Sequence, residues 1–253
     1  MPNRTETLER GNVYFLFRPK VEEENPEKLE DVQRIFVVLS PEGLQRYRLL
    51  VVGRKQLPEP EQSGQEKHWG FVDSVTKNPE TIESRLDPQT YETKTRGERH
   101  LPAVRPIGEG VYRIVRHDNH THFAYSLELP KNIGEAQSAF NLEEQASYVI
   151  SIKNPEKGSP LGAGLSDEQQ VHLPRRLQEK FSDRRFCEAD PPDFLNYEGT
   201  EFVLVSAAED VTEELGIELH PEDETATSAD IFNDLKMERS DHPMKPFFKG
   251  EWQ

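Results

Sequence analysis

The sequence predicts an α+β, β-rich fold: antiparallel strands in meander and hairpin order, curling toward a barrel, with a few short helices. Three observations carry this. Apolar runs of strand length, Val13–Phe17 (VYFLF), Arg34–Leu39 (RIFVVL) and Arg46–Gly53 (RYRLLVVG), follow one another closely. Ser40-Pro41-Glu42-Gly43 between the second and third has Pro and Gly where a type I turn wants them. Regular strand–helix–strand alternation is missing, which disfavours a doubly wound nucleotide-binding sheet.

Each element follows from local chemistry. Val13–Phe17 ends at Arg18-Pro19, and the acidic residues 22–30 form a solvated loop. Leu57–Lys67, with Pro58, Pro60 and Gly64, reads as a surface loop before a strand at Trp69–Val75. Asn78-Pro79 caps a short helix, Glu80–Leu86. Thr90–Pro106 reads as irregular and basic. Val111–Arg116 and Thr121–Leu129 form a hairpin, and Tyr148–Lys153 is a further strand. Gly158–Gly164 is a loop. Ser166 with Gln169 fits a capping box, leading to a helical stretch broken at Pro174 and running to Phe181. A late strand, Glu201–Ser206, precedes a helix at Glu209–Leu215.

Two motifs echo. Val13-Tyr14 recurs as Val111-Tyr112, and Lys77-Asn78-Pro79-Glu80 as Lys153-Asn154-Pro155-Glu156. Their offsets differ, so a β unit repeated over about 11–86 and 108–206 competes with the plain reading that Asn-Pro is a common strand exit. The expected organisation is a β-rich body, 1–219, followed by an acidic linker and C-terminal docking segment, 220–253.

The chain has 253 residues, 31 Lys+Arg against 47 Asp+Glu, and a net charge of −16. Residues 207–253 hold 13 acids against 4 bases, so more than half of the excess lies in the last 47 residues. No apolar run of about 18 residues is present to span a membrane as a helix. One cysteine, Cys187, excludes an internal disulfide and zinc sites built on paired cysteines; it reads as a buried small hydrophobe. The polar N-terminus shows no secretory signal, and the expectation is a reducing, cytoplasmic setting. No phosphate loop, G-x-S-x-G elbow or H-E-x-x-H occurs.

Three sets of residues attract attention. His117, His120 and His122 flank an Asp118-Asn119 turn and share one sheet face, a pattern that suits zinc with three imidazoles; an exposed polar turn is the plain alternative. Lys94, Arg96, Arg99 and Arg105 lie in a locally basic stretch suited to phosphate or carboxylate, although a solvated loop paired with the chain's own acids is the commoner role. Nucleic acid is disfavoured, because only Tyr91 interleaves with these bases. Ile231, Phe232 and Leu235 give a short helix at Ala229–Met237, capped by Ser228, an apolar face. Phe247, Phe248 and Trp252 add terminal aromatics. These six either dock on a partner or pack on their own domain. The leading expectation is an intracellular, non-catalytic interaction or scaffold protein that binds a protein partner through its C-terminal segment and a sheet face. The second is a His-ligated metal enzyme, or an anion-binding enzyme acting on a phosphorylated or carboxylate substrate.

Overall fold

The computed structural model describes residues 5–60, 66–158, 165, 169 and 171–252. Strands β1 (Glu6–Pro19), β2 (Val32–Pro41), β3 (Tyr47–Val52) and β4 (Lys67–Thr76) form one antiparallel meander. Helix α1 (Pro79–Leu86) follows, then a separate hairpin of β5 (Gln89–Thr93) and β6 (Gly97–Leu101). A second meander contains β7 (Arg105–His117), β8 (His120–Leu129), β9 (Gln145–Lys153) and β11 (Glu201–Ala208). Helix α2 (Glu135–Ala139) sits between β8 and β9. Helix α3 (Arg175–Gln178) and strand β10 (Phe186–Glu188) precede β11. The meanders meet twice, β1 on β7 and β4 on β11, so eight strands close into a barrel. Three short helices follow: α4 (Val211–Leu215), α5 (Ile231–Asp234) and α6 (Lys245–Lys249).

All eight barrel strands contribute inward side chains to one core, among them Val13, Phe15, Val37, Leu50, Val72, Tyr112, Tyr125, Tyr148 and Phe202. Aromatic contacts fill the interior, such as Phe15 on Tyr125 with ring centroids 4.8 Å apart. Alternate residues of β1–β3, Tyr14, Leu16, Phe36, Val38, Leu49 and Val51, face outward into a second apolar cluster. Burial on both faces explains why these strands read as continuous apolar runs rather than alternating ones. Inside the barrel wall, Arg48 is fully buried. It forms a two-pronged pair with Glu9 (2.6 and 2.8 Å), donates Nε to Asn196 Oδ1 at 2.9 Å, and Tyr112 OH donates to Glu9.

The expected α1 is present, with Asn78 Oδ1 accepting from Glu80 N at 3.2 Å. The irregular reading of Thr90–Pro106 is corrected: hairpin β5–β6 and the start of β7 occupy it. Its strands are mostly exposed, so no apolar periodicity announces them. The tail helix shrinks to the single turn of α5, and Ser228 does not cap it; Ser228 Oγ accepts from Thr225 N. The 159–164 loop and the Ser166 capping box lie outside the described residues.

The C-terminal segment packs on its own barrel. Ile231, Leu235 and Phe247 are fully buried in the outer cluster. Trp252 contacts Phe17 and Phe140, with ring centroids 5.6 and 5.5 Å away. Gln137 Nε2 ties α2 to α6 by donating to Pro246 O at 2.8 Å. Phe232 and Phe248 are half-buried beneath Arg239, whose guanidinium carbon lies 4.5 Å from the Phe232 ring centre.

The two meanders share one detail that the motif echoes do not mark. Gly11 pairs with Pro41, and Gly110 with Leu127. A Cβ added at either glycine would stand 2.1 Å from a serine carbonyl oxygen, Ser40 or Ser126. Matching these glycines sets Val13 beside Tyr112, one residue away from the Val-Tyr echo. A one-residue slip reverses every facing, and Val13 and Tyr112 do both point inward. The two Asn-Pro segments follow β4 and β9, which hold different places in their meanders.

Candidate functional site

The histidines take the predicted hairpin. His117 and His120 are register partners, and the His117 and His122 rings lie 5.8 Å apart. His120 is exposed at the turn, whereas His122 is buried. Its register partner Val115 belongs to the small apolar cluster that α4 closes, and His122 Nδ1 is 3.8 Å from Glu214 Oε1. Burial, with His117 and His120 nearby, pushes its pKa down to about 4. Among the described residues no group of three or more His, Cys, Asp or Glu is arranged to hold a metal ion. The zinc expectation finds no support in this geometry: His120 lies in the exposed turn, and His122 on a covered sheet face.

The basic set is also divided. Lys94 and Arg96 are exposed in the β5–β6 turn. Arg99 Nε meets Glu22 Oε1 at 3.1 Å, and His100 meets Glu24 at 3.1 Å. Arg105 is buried and donates to the Glu24 carbonyl; burial pushes its guanidinium down to about 10. Glu22 and Glu24 thus engage Arg99, His100 and Arg105, while Lys94 and Arg96 stay in the exposed turn. Arg105 and His117 stand at opposite ends of β7, roughly 40 Å apart at strand rise, so these bases and the histidines form no common site. Cys187 is buried, and loss of solvent pushes its thiol up to about 12, so it is inert as a nucleophile.

A different place brings charge together. In the β1–β7 ladder Arg10 is the direct partner of Arg113. Their neighbours Gly11 and Tyr112 are also paired, and Tyr112 points inward, so both arginines point out. Cβ atoms of direct partners lie about 5 Å apart, and like charges so placed repel. Arg10 pairs with Glu42, both more than half exposed. Arg113 makes no ion pair among the described residues. Two adjoining depressions share Arg10, Glu42 and Arg113. One, of about 480 Å³, adds Asn12, Ser40, Val111 and, from the C-terminal segment, Leu219, His220 and Glu222. The other, of about 610 Å³, opens over Leu8, Leu44 and Pro192. Sequence reasoning missed this groove because its two guanidiniums are 103 positions apart and only strand register joins them.

Below the groove, the same outer face becomes acidic and buried. Glu109 Oε2 accepts from Ile231 N at 2.9 Å, and Glu128 Oε1 from Glu222 N at 2.6 Å. Desolvation, with neighbouring acids, raises Glu109 to about 8 and Glu128 to about 7. No family model, curated protein or solved structure matches the chain.

Proposed function

We propose that the chain is a non-catalytic binding protein that recognises an anionic group on a protein partner, phosphate or carboxylate, in the Arg10–Arg113 groove. The observation that supports this reading is the register itself. Two guanidiniums held side by side on adjacent strands repel each other until an anion lies between them. Their planar donors then engage its oxygens in pairs. The Arg10–Glu42 pair is exposed, contributes roughly 0–1 kcal/mol, and yields readily to a better-placed anion. Asn12, Ser40 and His220 supply polar contacts around it. Leu8, Pro192 and the half-exposed Leu44 give an apolar rim, which suits an acidic or phosphorylated peptide segment better than a free ion. In this reading the C-terminal segment serves as a wall of the groove, through Leu219, His220 and Glu222.

Inorganic sulfate is the minimal probe. Titration followed by amide chemical shifts should place binding at residues 10–12 and 111–113. Arg113→Ala should weaken it at least tenfold. Arg116→Ala, on a guanidinium already held by Glu6 and Asp190, should leave it unchanged. Equal affinity in Arg113→Ala and the parent protein would remove the reading.

A further inference from the structure

The acids beneath the groove form an arrangement that the binding reading does not use. Segment 219–235 crosses the outer face of β1, β7 and β8, and beside the burial of Ile231 and Leu235 in the outer cluster four hydrogen bonds tie it to these strands. Two are the Glu128 and Glu109 carboxyls that accept from the Glu222 and Ile231 amides. The other two are Asn12 Nδ2 donating to Asp230 Oδ2 at 2.9 Å and Tyr14 OH donating to Asp234 Oδ2 at 2.7 Å. The segment brings its own acids onto acids of the barrel. Asp230, Glu128 and Glu224 surround Glu109; Asp230, Glu224 and Glu222 surround Glu128. Asp234, Glu224 and Glu222 act on Asp230, and Tyr14 and Tyr47 face Asp234. Lys131, at the edge, is engaged by Asp223.

Two oxygens in this cluster are orphaned. Glu109 is 1% exposed and Glu224 is 7% exposed, yet Glu109 Oε1 and Glu224 Oε2 have no hydrogen-bond partner. A buried carboxylate oxygen without a donor is costly, and several carboxylates at close quarters cannot all be ionised. A carboxyl that keeps its proton carries no charge, which removes the mutual repulsion and most of the desolvation penalty. Metal does not fill this role, since the carboxyls are not arranged as a ligand set.

We propose that segment 219–235 is a proton-held strap: it lies on the barrel while Glu109 and Glu128 are neutral, and their ionisation releases it from the Arg10–Arg113 groove. The part concerning the groove rests on the binding reading above; the strap does not. Leu219, His220 and Glu222 are groove wall, and the Glu222 amide donates to one of these acids; ionisation strengthens the two amide bonds, and it is the larger desolvation and carboxylate repulsion that release the strap. Both glutamates have raised pKa values, so the folded strap retains protons that the freed strap gives up. The strap is therefore closed at pH 6 and opens through pH 7–8.

Amide exchange by NMR, expressed as protection factors so that the intrinsic rate cancels, tests this directly. Protection of the Glu222 and Ile231 amides should fall at least tenfold from pH 6 to pH 9. In the double variant Glu109→Gln, Glu128→Gln it should change less than twofold. A flat profile in the parent protein, or the same fall in the double variant, overturns the strap. If the double variant does not fold, carboxyl carbon titration of the parent protein decides. Midpoints near 7–8 for Glu109 and Glu128 support the strap, and midpoints below 5 overturn it. Sulfate affinity, measured alongside, separates the two ideas because sulfate does not titrate in this range. It should weaken between pH 6 and pH 9, and His220→Gln should retain that step. Sulfate bound through Arg113 with flat strap protection rejects the strap and keeps the groove. A strap that opens in a protein that binds no sulfate at pH 6 keeps the strap and rejects the groove.

Discussion

Arg48 shows what a charge inside a barrel wall requires. Its guanidinium is fully buried, and each of its three nitrogens donates: two to Glu9 and one to Asn196. Moving such a pair from water is costly, so it stabilises the fold only while both partners remain. Arg48→Ala leaves the Glu9 carboxylate desolvated, with only Tyr112 OH donating to it. The expected loss is about 3–5 kcal/mol in urea unfolding. Replacing both members, Arg48→Met with Glu9→Gln, should cost distinctly less, because no buried charge is stranded. A single-variant loss below about 1 kcal/mol would show that water reaches this end of the barrel. Arg10, exposed, and Arg113, half-buried, illustrate the opposite case: outward-facing and repelling, so their substitution should change binding while leaving stability nearly intact.

At the scale of elements, the β1–β2 and β7–β8 hairpins depend on glycine for the same reason. With a serine carbonyl oxygen 2.1 Å from any added Cβ, Gly11→Ala and Gly110→Ala must each force the strands apart. Both should destabilise the protein by more than about 1 kcal/mol in urea titrations, within the range for overpacking. Two silent substitutions would mean the registers are not as described. The C-terminal segment is a structural element by the same logic. Phe247→Ala should cost about 3–5 kcal/mol, because its ring is buried in the outer cluster. These elements were unequally legible in the sequence. The first three strands were readable because burial on both faces left Val13–Phe17, Arg34–Leu39 and Arg46–Gly53 almost wholly apolar. The β5–β6 hairpin was hidden, since Gln89–Thr93 is exposed and carries no period. The His117–His122 facing was predictable from a two-residue turn; the cover that α4 places on His122 comes from residues about 90 positions later. Arg10–Arg113 and Glu109–Ile231 were invisible for that reason too, as pairing and burial between distant segments leave no local trace.

For the whole molecule, the net charge of −16 matters less than the few acids that do not carry their share of it. Glu109 and Glu128, 1% and 6% exposed, keep their protons in the fold up to about pH 8 and 7, whereas both ionise near pH 4.3 once unfolded. Between these limits the folded chain binds more protons, so stability falls as pH rises, by about 1.4 kcal/mol per pH unit for each such group. His122 acts in the opposite sense. Its folded pKa is about 4 against about 6.5 unfolded, so stability rises with pH across that interval. Below pH 6.5 the histidine offsets one of the two glutamates. From 6.5 to about 7 both titrate unopposed, and from 7 to 8 Glu109 acts alone. Urea unfolding measured from pH 5 to 8 should therefore show stability declining, steepest near 6.5–7. Glu109→Gln with Glu128→Gln should abolish that decline and leave only the rising limb of His122. A parent protein that gained stability from pH 5 to 8 would show these carboxyls ionised, and hence not packed beneath the strap.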